Sequence, residues 1–144
     1  MGTSNIANRA SIFKEVEQTF GLVPTWMKEV PEAALSGLWG TMRDFYLAET
    51  KIPNKYKELI GIAVSGATRC KYCTLFHTEG ARLAGATDDE IAEASMMSGL
   101  TMLASTFINA EQVDYDVFRE ETLAIVDNVK KRQAKSAPAV HAHA

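Results

Sequence analysis

The sequence predicts an all-α fold of about six to eight helices, and three observations carry that expectation. Apolar residues recur at spacings of three and four rather than in alternation. Glycines and prolines such as Gly21, Pro24, Pro31, Pro53 and Gly85 mark the ends of these runs. The segment Thr87-Asp-Asp-Glu90 has the spacing of a helix capping box, in which threonine and glutamate exchange hydrogen bonds with each other's backbone amides.

Taken in order, Ile12, Phe13, Val16 and Phe20 form one helical stripe that stops at Gly21. "LVPTWMKEVP" follows, with room for one helical turn between its prolines. A longer helix is predicted over Glu32 to Ala48, with Leu35, Leu38, Trp39, Met42, Phe45 and Tyr46 as apolar positions. After Pro53 a helix over Asn54 to Thr68 is expected to turn Tyr56, Leu59, Ile60, Ala63, Val64 and Ala67 inward, while Gly61 and Gly66 permit a close neighbour. The next helix runs through Ala84 to Gly85, a glycine placed to take a left-handed cap. Thr87 opens a run to Ala110, with a bend or break expected near Ser98 and Gly99 and with Met96, Met97 and Met102 as flexible core filling. A last amphipathic helix covers about Asp114 to Arg132 and presents Val117, Leu123, Ile125, Val126 and Val129. The domain prediction is therefore one helical domain over residues 1–132 and a flexible tail over 133–144, whose His141 and His143 read as solvated.

With 144 residues, 47% of them hydrophobic and 23% charged, the chain suits one domain that buries roughly 70% of its unfolded surface. Two cysteines are too few for a disulfide scaffold, and such a chain needs none. No apolar run approaches the roughly 20 residues that cross a bilayer, so no membrane association is expected. The N-terminal segment lacks a basic head followed by an apolar core, which makes a reducing cytoplasm the expected location. The formal charge of −3 has scattered cations apart from Lys130 to Arg132, and nucleic acid is not an expected partner. Flavin, haem and nucleotide motifs are absent, so no cofactor is expected.

The chemistry concentrates in "TRCKYCTLFH", Thr68 to His77. On a helix Cys73 lies roughly 60° from Cys70 and His77 roughly 40° from Cys73, so all three share a face. Cysteines one turn apart have Cα atoms roughly 5 to 6 Å apart, within reach of a disulfide. A helix that starts near Thr68 or Arg69 places both thiols in its first turns, where the dipole and unpaired amides favour thiolate. His77 approaches Cys73 by the i, i+4 relation, and no base stands in that relation to Cys70. Cys73 is therefore the expected attacking thiolate and Cys70 the resolving thiol. A histidine that activates a thiol needs an orienting acceptor; Glu58, sharing a face with Ile62 and Ser65, is the candidate.

The order Glu58, eleven residues, Cys70, two residues, Cys73, three residues, His77 resembles the E-x11-C-x2-C-x3-H signature of alkylhydroperoxidase AhpD-like proteins in the carboxymuconolactone decarboxylase superfamily. "FGLVPTWMKEVP" and "GATDDEIAEA" are similar to that family's flanking segments, and the resemblance spans Phe20 to Ala94. It implies a compact AhpD-like helical domain, a trimeric or hexameric homo-oligomer, and an antioxidant peroxidase that reduces alkyl hydroperoxides or hydrogen peroxide. It further implies that Cys73 becomes a sulfenic acid, Cys70 closes the disulfide, Glu58 and His77 relay protons, and an external dithiol of lipoamide or thioredoxin type restores the thiols. Where the best-studied members carry a second histidine, just before the second cysteine, this chain has Tyr72.

The same residues admit other readings. Two buried cysteines on a core helix would be unreactive. A zinc site from Cys70, Cys73, His77 and Glu58 would crowd three ligands into two turns of one helix, against tetrahedral geometry. A decarboxylase or lactone-processing enzyme of the same superfamily would leave the cysteine pair without a task. A non-enzymatic redox sensor would use the dithiol to switch an interface.

Overall fold

A computed structural model describes residues 8–136 of the chain. Among the described residues there are seven α-helices, one π-helical segment and no strand, in keeping with the all-α expectation: α1 Arg9–Phe20, α2 Thr25–Lys28, α3 Glu32–Thr41, the π-helical Met42–Leu47, α4 Asn54–Thr68, α5 Lys71–Leu83, α6 Asp88–Ala110 and α7 Tyr115–Ser136. They fall into two compact units, one ending at Gly99 and one starting at Leu100.

In the first unit, α1 begins where the Asn8 side chain accepts from the Ser11 amide at 2.9 Å. It ends at Gly21, whose φ of 77° is left-handed backbone that glycine adopts without a Cβ clash. Its apolar stripe meets α2 and α3: Ile12, Val16, Met27, Leu35 and Trp39 form a buried cluster, with Phe13, Phe20, Val23, Val30, Met42 and Leu47 packed against it. Each such side chain contributes about 1.5–3 kcal/mol on burial. Polar ties fix the corner. The Arg9 guanidinium reaches Glu32 at 2.7 Å and the carbonyls of Lys28 and Val30 at 3.0 and 2.7 Å. The Trp39 indole donates to Glu15 at 2.8 Å.

The helix expected over Glu32 to Ala48 widens into a π-helix at Met42. Its C-terminal carbonyls, orphaned as at any helix end, are taken up by the start of α4. The Lys57 ammonium binds the carbonyls of Phe45 and Ala48 at 2.8 and 2.6 Å, and the Asn54 amide donates to the Leu47 carbonyl at 2.9 Å.

Helices α4 and α5 pack closely side by side. Arg69, in left-handed conformation with φ 56°, closes α4. Cys70 is then the N-cap of α5, so that helix starts at Lys71 rather than at Thr68 or Arg69. The side of α4 that is buried carries Glu58, Ile62 and Ser65. Tyr56, Ile60 and Val64, expected inward, are instead 51%, 51% and 56% exposed. The cause is steric, because α5 needs the side where Gly61 and Ser65 leave room, and a Cβ on Gly61 would fall 2.4 Å from the His77 ring.

The Thr87–Glu90 capping box forms as expected, with the Thr87 amide donating to the Glu90 carboxylate at 2.8 Å and the Glu90 amide to the Thr87 hydroxyl at 3.1 Å. Helix α6 runs unbroken through Ser98 and Gly99, although the boundary between the two units falls there. Met96, Met97 and Met102 are 72%, 55% and 46% exposed, so they do not fill a core within the chain. With 23 residues and a mean hydropathy of 1.3 in its most apolar stretch, α6 is long and apolar enough to cross a membrane by length and composition, contrary to the sequence expectation. In the second unit, Asp114 caps α7 by accepting from the amides of Asp116 and Val117, both at 3.0 Å. That helix extends past Arg132 to Ser136. Most of the expected tail, with His141 and His143, lies outside the described residues.

Candidate active site

The N-terminus of α5 positions both sulfurs. Cys70 and Cys73 are joined as a disulfide, with Cα atoms 5.3 Å apart. The Cys70 sulfur also accepts the Cys73 amide at 3.2 Å, doing for the helix what a serine or aspartate does at other N-caps. Cys73 is an exposed residue and Cys70 a half-buried one.

One turn further along α5, His77 Nδ1 lies 2.8 Å from Glu58 Oε2. Glu58 is only 8% exposed, and a carboxylate so removed from water needs hydrogen-bonding partners. The second partner is Tyr46, whose hydroxyl donates to Glu58 Oε1. Burial, and then the neighbouring Glu58 carboxylate, push the Tyr46 phenol well above its usual range, so it keeps its proton and acts as donor. The Tyr46 ring stands edge-on to His77 with centroids 5.8 Å apart, and Phe76 lies 5.5 Å from the same imidazole.

Two glycines make this proximity possible. A Cβ on Gly61 would overlap the His77 ring, and a Cβ on Gly80 would fall 2.7 to 2.8 Å from the Glu58 carboxyl atoms. The helices therefore approach closely at the two levels where the acid and the imidazole meet.

The four residues singled out from the sequence, Glu58, Cys70, Cys73 and His77, thus stand on two adjoining helices, with Cys70 at the N-cap of α5 and Cys73 and His77 one turn apart along it. Sequence reasoning assigned Tyr46 to an apolar stripe and passed over Gly80. Nothing in "MRDFYL" announces a π-helix, but the glycine three residues after His77 was visible. Among the described residues, no group of three or more His, Cys, Asp or Glu side chains is arranged to hold a metal. A shallow groove of about 660 Å³ opens over Ser65, Arg69, Lys71, Thr74 and Arg82. At 100° per residue, its α5 residues lie away from Cys73 and His77, and the groove takes in neither sulfur.

Residues 29–112, which contain every residue of this site, match the carboxymuconolactone decarboxylase family. The structure is similar to that of the alkylhydroperoxidase AhpD core from Rhodospirillum rubrum, with a TM-score of 0.66 and 25% identity over 82% of this chain and 97% of that one. It is also similar to a protein from Methanobacterium thermoautotrophicum, with a TM-score of 0.52 and 33% identity over 61% of this chain and 97% of the other. In sequence it is 28% identical over 82 residues to uncharacterized protein 4 in the cox locus of Paracoccus denitrificans. That match takes in 57% of this chain and 66% of the relative, just under two thirds of its length.

Proposed function

Since this chain belongs to the carboxymuconolactone decarboxylase family and is AhpD-like in fold, we propose that it is a thiol-dependent peroxidase that reduces alkyl hydroperoxides or hydrogen peroxide. The observation that carries the reading is the Cys70–Cys73 disulfide, one helical turn from an imidazole whose Nδ1 is already held by a buried carboxylate.

In the reduced protein, the Cys73 thiolate attacks one peroxide oxygen. The O–O bond breaks, Cys73 becomes a sulfenic acid, and the departing alkoxide or hydroxide takes a proton through His77, oriented by Glu58. The Cys70 thiol then attacks the sulfenic sulfur; the S–S bond forms and the hydroxyl leaves as water with the thiol proton. Two electrons have passed from the dithiol to the peroxide. The chain has no third cysteine, so an external dithiol of lipoamide or thioredoxin type reopens the disulfide by exchange, in a reducing cytoplasm. The exposure of Cys73 suits both the peroxide and this partner.

The working form is a homo-oligomer, a trimer or a multiple of it. Among the described residues from Leu100 onward none is buried, while Leu103, Phe107, Leu123 and Ile125 are 69%, 63%, 55% and 62% exposed. A second copy of the same chain covers these faces, and with them the apolar length of α6.

Steady-state consumption of an organic hydroperoxide with a recycling dithiol tests the proposal. Turnover that needs both cysteines is the expected result. A disulfide that forms once and is not recycled by any dithiol would leave the redox-sensor reading in its place.

A further inference from the structure

We propose that Tyr46 is a positioning residue for the thiol chemistry: by fixing the Glu58 carboxylate, it holds His77 in the tautomer that leaves Nε2 free to serve Cys73. The inference deepens the peroxidase reading and rests on it for its chemical meaning, but its geometry stands independently.

Glu58 has two carboxylate oxygens, each with one partner. Oε2 faces His77 Nδ1 at 2.8 Å, and Oε1 accepts from the Tyr46 hydroxyl. The terminal torsion of a glutamate is soft, so a carboxylate held at one oxygen only can swing. Held at both, it presents Oε2 to the imidazole in one direction. When ionised, the carboxylate can only accept hydrogen bonds, so a neutral imidazole beside it carries its proton on Nδ1 and leaves Nε2 bare. That bare nitrogen can take the Cys73 thiol proton and, once protonated, hand it to the departing alkoxide. A carboxylate that fixes a histidine's tautomer is a recurrent device at reactive sites, and its own partner completes it.

The backbone supports this assignment. Tyr46 belongs to the π-helical Met42–Leu47, and such widenings occur frequently at functional sites. The widening is pinned from α4 by Lys57 and Asn54 on its terminal carbonyls, so Tyr46 and Glu58 are held by the same helix start. Among the described residues, the titratable group hydrogen-bonded to the Glu58–His77 pair is Tyr46 from the π-helical segment; on α4, Lys57 binds the carbonyls and Lys55 is paired with Glu90 of α6 at 2.7 Å.

The test uses the full chain, reduced. In wild type, imidazole ¹⁵N shifts should report a protonated Nδ1 and a bare Nε2 for His77; in Tyr46→Phe the two tautomers should mix. Peroxide reduction should fall on the order of tenfold, in kcat rather than in KM. Because the tautomer signal needs no turnover, it decides the role of Tyr46 even if wild type proves not to be a peroxidase. A single unchanged tautomer in a folded Tyr46→Phe protein would overturn the proposal. Should that variant fail to fold, tyrosinate absorbance decides. One of the four tyrosines should resist ionisation in wild type and ionise at lower pH in Glu58→Gln. Identical titrations in the two proteins would overturn the proposal as well.

Discussion

The two units of this chain differ in what they bury. Every residue buried among those described, from Ile12 to Ser98, belongs to the first unit, which holds both the apolar cluster around Trp39 and the Glu58–His77 pair. From Leu100 onward the described residues bury nothing, although they carry large apolar side chains in similar proportion. Apolar content alone therefore does not decide where a core forms. In the first unit, glycines at 61 and 80 let helices close on one another; in the second, the apolar faces remain available to another molecule. The site sits in the part whose geometry is settled by its own packing, and the proposed assembly would fall to the part that is not.

The largest effect expected from breaking this contrast is at Gly61. In Gly61→Ala the added carbon would lie 2.4 Å from His77 Nδ1. Such overpacking costs about 1–3 kcal/mol, and displacing a reacting group by an ångström costs on the order of 10² in rate. Peroxide turnover should fall by that factor and the denaturation midpoint should drop. Gly37→Ala, with nothing within 4 Å of the new carbon, should keep full activity and gain up to about 1 kcal/mol from helix propensity. His77→Ala should lower turnover on the order of 10² and also lower the denaturation midpoint, because it leaves the buried Glu58 carboxylate without one of its two partners.

A second effect sharpens the other side. Charging the apolar face, as in Leu103→Asp or Ile125→Asp, should weaken assembly by on the order of 10²-fold, the scale of an interface hot spot. Sedimentation would show this as a shift toward the 15.8 kDa monomer, while the first unit keeps its tryptophan fluorescence. A wild-type protein that sediments as a monomer at micromolar concentration would contradict the assembly account.

Much of the first unit was legible in the sequence because its signals are local. Gly21 ends α1, Pro53 precedes α4, and the Thr87–Glu90 box opens α6. The spacing of Glu58, Cys70, Cys73 and His77 was readable because α-helical periodicity converts sequence distance into direction. The failures have equally physical causes. The π-helix over Met42–Leu47 depends on Lys57 and Asn54 from another helix, so no local pattern reveals it, and Tyr46 read as part of an apolar stripe. The buried side of α4 was chosen by where a neighbour could fit, not by where the larger side chains stood, which left Tyr56, Ile60 and Val64 outside. A helix tolerates Gly99 in its interior at a cost of about 1 kcal/mol, and so α6 does not break.

The smallest predicted effect is a pH dependence within the first unit. Hydrogen bonds from the Trp39 indole and then from Arg43 hold the Glu15 carboxyl below its usual 4.5. A group depressed on folding contributes stability that is present above its unfolded pKa and lost as the pH falls through its folded one. Fluorescence of the buried Trp39 should thus begin to change as the pH drops below about 4.5, and Glu15→Gln should flatten that limb.

The central claim is that Cys70 and Cys73 form a working redox pair served by His77. Mass mapping after one equivalent of an organic hydroperoxide is added to the reduced protein tests it most directly. The account predicts an intramolecular Cys70–Cys73 disulfide that a dithiol reverses, a sulfenic acid trapped at Cys73 in Cys70→Ser, and no reaction in Cys73→Ser. A wild type that stays reduced under excess peroxide while holding one equivalent of zinc, or two single mutants that both retain turnover, would contradict it.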